Sequence, residues 1–243
     1  MKLKKLAVLL SSLAATAAMA QAKAPEPDYT LSYNVGVVSD YRYRGISQTR
    51  LQPALQGGID FAHKSGWYIG TWLSTIKWIK DVGGDANIEW DVYGGYKFEA
   101  GPLGMDVGLL TYNYPSNKLN PSADTQEAYV AGTWGPATLK VSYAFSNLFG
   151  FASSSGSYYA DLSANFDLGG GWTVTPHIGY QDVVHNSAFS YTDYSVTVGK
   201  DFGNGLSASV ALVGTDNSNY VGPAPGLKNL GRTGVVAGLK YTF

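Results

Sequence analysis

From residue 29 onward the sequence repeats one pattern, apolar and polar residues in strict alternation. Over residues 234–243, Val235, Ala237, Leu239, Tyr241 and Phe243 fall on one side, and Gly234, Val236, Gly238, Lys240 and Thr242 on the other. Leu139, Val141, Tyr143 and Phe145 alternate with Thr138, Lys140, Ser142 and Ala144. Ile88, Trp90, Val92 and Tyr96 alternate with Asn87, Glu89, Asp91, Tyr93 and Lys97. A period of two is that of a β-strand with two unlike faces. Here one face is apolar and the other polar along the full length of segment after segment.

The connections carry a second regularity. Short turns fall at 63–66, 99–102, 135–136, 169–171 and 203–205. Longer polar connections fall between them, at about 45–51, 76–85, 115–124, 147–156, 181–190 and 216–232. Short and long alternate throughout. That is the rhythm of an antiparallel up-and-down barrel with tight turns at one end and loops at the other. Counting hairpins gives about twelve strands, each roughly 9–11 residues, the length that crosses a bilayer with tilt. The expected fold is therefore an all-β transmembrane antiparallel up-and-down barrel over residues 29–243. Residues 21–28 form a short lead.

Composition agrees with that class. Charged residues are 14 % of the chain, against about 25 % in soluble domains. Glycine (30) and tyrosine (18) are abundant and cysteine is absent. Residues 1–20 read as a Sec-type signal peptide, with a basic start at Lys2, Lys4 and Lys5, an apolar run over 6–17, and Ala18-Met19-Ala20 as cleavage site. Its removal takes the 17 basic residues to 14 against 18 acidic, a net charge of −4. That argues against a nucleic-acid partner. The expected location is the bacterial outer membrane, with lipid and lipopolysaccharide around the wall.

Following the alternation from Tyr29, the first strand runs on through residues 40–44. Tyr41 and Tyr43 then face out, into an aromatic girdle at the external interface. Asp40, Arg42 and Arg44 face in, and Gly45 opens the first loop. The same rule places Asp60, Glu89, Asp91, Lys97, Asp106, Lys140, Asp161, His177, Asp201 and Lys240 on the inner face as candidate pore-lining residues. Arg42 and Arg44 could attract anions at a constriction, or be neutralised by Asp40, Glu89 or Asp91. The acidic set, if unpaired, would favour cations. Gly36, Gly58, Gly70, Gly108, Gly179 and Gly199 also fall on the inner face and would ease curvature and leave lumen space.

The run Ser39-Asp40-Tyr41-Arg42-Tyr43-Arg44-Gly45-Ile46-Ser47-Gln48 resembles the S-D-Y-x-[FY]-R-G-x-S-Q signature of the TorF-type porin family, a proteobacterial family also catalogued as of unknown function. Residues 66–72, 87–96 and the terminal Leu239-Lys240-Tyr241-Thr242-Phe243 resemble it as well. The resemblance implies an outer-membrane barrel of porin type, and brings no substrate and no site residues. The aromatic end, Phe243, is of the kind read by barrel-insertion machinery.

Three functional readings follow. A twelve-stranded bore lies between filled eight-stranded barrels and open porins, so a narrow channel for passive diffusion of small polar or charged solutes is favoured. A lumen-plugged structural or adhesin-type barrel is the alternative. A lipid hydrolase is disfavoured. His63, His177 and His185 are the histidines available, and no G-x-S-x-G elbow accompanies them. No catalytic residue, cofactor or metal is implied. Asp81, Asp85 and Asn87 lack EF-hand spacing. A monomer is expected.

Overall fold

The computed structural model describes residues 27–223 and 227–243. The signal segment 1–20 lies outside the described residues, as does most of the lead. The strands are β1 (Tyr29–Val38), β2 (Arg42–Tyr43), β3 (Ile46–Ser47), β4 (Ala54–His63), β5 (Trp67–Thr75), β6 (Ile88–Ala100), β7 (Leu103–Asn113), β8 (Thr125–Trp134), β9 (Ala137–Ala144), β10 (Tyr158–Ala164), β11 (Phe166–Gly169), β12 (Trp172–Asp182), β13 (Tyr191–Gly203), β14 (Leu206–Thr215) and β15 (Gly234–Thr242). One helical turn, α1 (Trp78–Asp81), lies in the β5–β6 loop.

Thirteen of these strands make one sheet, and β2 and β3 pair only with each other. β10 and β11 are consecutive pieces of a single stave, both pairing with β12, so the wall has twelve staves. Every wall pairing is antiparallel between neighbours in the chain, except the seam where the last strand meets the first. There Asn34 pairs with Thr242, Val35 with Tyr241, and so on to Val38 with Gly238. Tyr33 and Phe243 exchange two backbone hydrogen bonds, each 2.9 Å. The cylinder is closed and has no free edge. In hydrocarbon each unpaired backbone group would cost several kcal/mol, so closure is the main stabiliser of such a wall.

The local chemistry of the turns fits the pairing. Between β13 and β14, Asn204 (φ 52°) and Gly205 (φ 84°) take the left-handed conformations of a tight hairpin whose twist matches its strands.

The outward face is apolar and uncovered. Val235 is 68 % exposed, Trp134 70 % and Leu109 57 %. Aromatic residues mark both borders of this belt: Trp67, Trp134, Trp172 and Phe202 at the turn end, Trp90, Tyr143, Tyr158, Tyr180 and Tyr194 at the loop end. A belt of this kind has hydrocarbon as its natural burial partner.

The first strand corrects one expectation. It ends at Val38, and Tyr41 and Tyr43 are not part of the loop-end girdle. At Val38 the pairing with β4 runs out, because its partner Ala54 is the first residue of that strand, whereas β15 continues past its partner Gly238 and Ser39 N still donates to the Ala237 carbonyl at 2.8 Å. With a neighbouring strand left on one side alone, the chain turns into the barrel. Arg44 (φ 44°) and Gly45 (φ 79°) make the tip of the two-stranded hairpin β2–β3. A Cβ on Gly45 would also press on Thr215 Cγ2 of β14 and Asp193 Cβ of β13, so the tip sits tight against these two staves.

The packed apolar core therefore lies inside the loop end of the cylinder. Tyr41, Ala54, Ile76, Ile79, Ala86, Tyr112, Tyr114 and Ala123 form its main cluster. Lower down, inward glycines seat tyrosine rings from the neighbouring stave: Tyr93 over Gly70, Tyr68 over Gly95, Tyr129 over Gly108 and Tyr159 over Gly179. The space expected at Gly70, Gly108 and Gly179 is thus filled by aromatic rings laid flat on the wall.

Candidate functional site: the bore and its in-turned hairpin

The sequence 40–49 builds its own clasp. Asp40 accepts hydrogen bonds from Ser47 Oγ at 2.5 Å and Thr49 Oγ1 at 3.2 Å, and pairs with Arg42 Nε at 2.5 Å. Arg42 Nη1 donates to the carbonyls of Gly45 and Leu230, both at 2.9 Å. Ser47 N donates to the Leu230 carbonyl at 3.0 Å. These bonds fold the segment and tie it to the β14–β15 loop.

The hairpin is then pinned to the wall. Tyr41 Oη donates to Glu89 of β6 at 2.7 Å. Tyr43 and Tyr112 of β7 are hydrogen-bonded through their hydroxyls. Arg44 Nη2 reaches Glu127 of β8 at 2.7 Å, and Nη1 reaches Gln181 of β12 at 2.6 Å. The Arg44 guanidinium also lies 4.2 Å from the centre of the Tyr159 ring. A charge-assisted hydrogen bond contributes about 1.5–3 kcal/mol. Several on one short hairpin hold it firmly.

Two chambers result, each about 430 Å³, on opposite sides of the hairpin. The inner one is polar. Arg42, Arg44, Asp91, Lys140, Asp161, His177 and Asp193 contribute to its lining. The outer one is aromatic: Trp78, Tyr114, Phe149, Phe151, Phe189 and Tyr220 are brought there by loops, and Tyr191 by the first position of β13. Tyr43 borders both. Burial pushes the phenols of Tyr114 and Tyr220 up from their ordinary range, so both rings stay neutral.

The expected inner-face residues fall as follows. Asp40, Arg42 and Arg44 are inside, carried by the hairpin. Asp60 accepts from Tyr93 at 2.5 Å and Asp106 from Tyr68 at 2.6 Å. Lys140 sits 4.0 Å above the Tyr129 ring, and Lys97 5.1 Å above the Tyr68 ring. His177 Nε2 meets Asp161 at 2.6 Å, and its Nδ1 faces Asp193 at 3.6 Å. Glu89 is buried, and Asp91 is buried with Oδ1 lacking a hydrogen-bond partner. Asp201 and Lys240 lie exposed toward the turn end.

The guanidiniums are not free. Arg42 is neutralised by Asp40, as one sequence reading allowed. Arg44 is neutralised by Glu127, which that reading did not include. Glu127 and Asp193 are two buried charged wall residues the sequence reading missed. The alternation Thr125, Glu127, Tyr129, Ala131 in β8, and Tyr191, Asp193, Ser195 in β13, would have placed both inside. In the loops, Asp81 pairs with Arg50 and Asp85 with Lys118, whose ammonium holds the Asp85 carboxyl below its ordinary range.

A closed twelve-stave barrel with an apolar skin, a charged bore and an in-turned loop has the architecture of a porin. Solved structures share it. The chain is similar to the KdgM porin (TM-score 0.58, 9 % identity, covering 88 % of this chain and 98 % of that one). It is also similar to the NanC porin (TM-score 0.57, 13 % identity, covering 87 % and 99 %). A KdgM porin in complex with disordered oligogalacturonate aligns at TM-score 0.55, 8 % identity, covering 88 % and 98 %. No curated protein matches by sequence. The chain belongs to the Gcw_chp family, bacterial proteins of unknown function, over residues 21–243. That family match carries the unknown-function description and not the TorF-type name.

Proposed function

We propose that the protein is a bacterial outer-membrane channel passing small polar solutes, cations in preference to anions, through a bore narrowed by the hairpin β2–β3. The observation that carries the charge preference is the pairing of both arginines. With Arg42 held by Asp40 and Arg44 by Glu127, the bore's remaining charge is dominated by carboxylates. Asp60, Asp91, Asp106, Asp161, Asp193 and Asp201 stand against Lys97, Lys140 and Lys240, with His177 variable. A ring of acids in a narrow pore draws cations.

The apolar belt supports residence in lipid, with lipopolysaccharide against its outer half and a monomer as the working unit. Phe243 in the seam supports recognition by the barrel-insertion machinery. For hydrolysis, His177 is poorly placed, since carboxylates face both its ring nitrogens and leave none for a serine.

Reversal potentials in planar bilayers under a KCl gradient test the proposal. The expected shift is toward the potassium potential, and a chloride-side shift removes the assignment. The hairpin across the bore favours a second reading, a barrel plugged at rest. Wild-type protein that stays silent while Arg44→Ala conducts would establish it.

A further inference from the structure

The outer chamber has a chemistry of its own, which the bore's acidic lining does not account for. Its walls are aromatic side chains packed mostly edge to face. Phe151, Phe189, Tyr220 and Tyr191 form one chain of contacts, with centroids 4.8 Å apart for Phe151–Phe189, 5.5 Å for Phe189–Tyr220 and 5.3 Å for Tyr191–Tyr220. Trp78 packs on Tyr114 at 5.2 Å, and Phe149 on Tyr43 at 5.7 Å. Loops far apart in sequence, together with the start of β13, deliver these rings to one cavity of about 430 Å³, within the size range of small-molecule sites.

The lining of this cavity carries no free charge. Among the described residues lining it there is no lysine or arginine, and its one carboxylate, Asp81, is paired with Arg50. Arg50 binds Asp81 Oδ1 from outside the lining, whereas Asp81 Oδ2 has no hydrogen-bond partner. Trp78 Nε1 likewise has none. Aromatic faces present negative potential, and cages built of them recognise alkylammonium groups. An anion would find no cation here. A purely polar solute would find mostly carbon.

We propose that the outer chamber binds small organic cations, an ammonium group carried on an aromatic or alkyl body, at the loop-side mouth of the bore. The ring faces hold both parts: the body by apolar contact and the ammonium by cation–π attraction. Tyr43, shared by the two chambers, marks the passage from this site to the acidic bore below. As the solute class of a channel this rests on the proposed function; as a binding site it does not.

Isothermal titration of the full-length barrel, folded in detergent, tests it, with empty micelles as baseline. The ligands are benzyltrimethylammonium, toluenesulfonate and benzyl alcohol, alike in size and opposite or neutral in charge. The ammonium should bind about ten-fold more tightly than either of the others. Phe189→Leu with Tyr220→Leu keeps apolar bulk but removes ring faces, and should abolish that preference. The variant's fold is checked by its heat-modifiable mobility in SDS gels. If wild type binds none of the three, or binds all three alike, the assignment is overturned without recourse to any variant. A folded variant that keeps the full ammonium preference overturns it too. Conductance is measured separately: a barrel that binds the ammonium yet never conducts sinks the channel reading and leaves this site standing.

Discussion

Arg44, at the tip of a hairpin that begins on β1, forms an ion pair with Glu127 on β8 at 2.7 Å, with both side chains almost wholly buried. The pair fastens the in-turned segment to a stave well removed from its own in the sheet. Removing one partner of such a pair strands the other charge and costs roughly 3–5 kcal/mol. Glu127→Ala should therefore lower the barrel's stability to urea by about that much, and Arg44→Ala/Glu127→Ala should recover part of it. A double variant no more stable than Glu127→Ala would mean the pair contributes nothing specific. In bilayers the double variant should conduct more than wild type, because the hairpin loses its far anchor.

The tyrosine–glycine seats make a second prediction. The three atoms nearest a Cβ on Gly70 would be side-chain atoms, two of Tyr93 and one of Asp60. Gly70→Ala should cost about 1–3 kcal/mol by overpacking. Adding Tyr93→Ser should remove most of that penalty, since the colliding ring is gone. Equilibrium unfolding of the two single variants and the double variant measures the coupling, and strict additivity would exclude the seat as its origin.

How far the sequence could be read follows from where periodicity applies. On the wall a residue's face is fixed by counting in twos, so Val235 to Phe243 could be assigned to the skin and Asp60, Lys140 or His177 to the inside from sequence alone. Counting fails where the ladder ends. Nothing in residues 39–48 announces that Val38 is the last paired position, because Tyr-Arg-Tyr-Arg continues the alternation without a break. What diverts the chain is long-range: Glu89, Tyr112, Glu127 and Gln181 offer partners that a girdle position would not, and only the closed barrel brings them together. Gly45 was read correctly as a turn, but as the start of a loop and not as the tip of a hairpin. The outer chamber was illegible for the same reason, since most of its rings come from loops with no periodicity, Tyr191 at the start of β13 being the exception.

His177 faces carboxylates on both ring nitrogens and receives a 3.1 Å contact from Tyr159. Histidine is the side chain whose ordinary titration falls between about pH 5 and 8. Gaining a proton there removes net negative charge from the inner chamber. Cation preference, read as reversal potential, should therefore weaken as pH falls through that window. His177→Gln should flatten this part of the profile while leaving the preference at pH 8 intact. Superimposable profiles for the two proteins would assign the dependence to other groups.

The seam gives the last test. Tyr33 and Phe243 exchange backbone hydrogen bonds, and their rings stack at 5.7 Å on the lipid side. A stacked pair contributes about 0.5–1.5 kcal/mol beyond its buried area. Phe243→Ala keeps the backbone bonds and loses the ring, so the folded barrel should persist with stability reduced by about that amount. Tyr33→Pro instead removes the N–H that donates to the Phe243 carbonyl and places a ring in the ladder. It should open the cylinder at its one long-range junction and abolish the heat-modifiable form on gels. If Tyr33→Pro folds and inserts as wild type does, the first and last strands do not close the barrel, and the argument from a sealed wall fails.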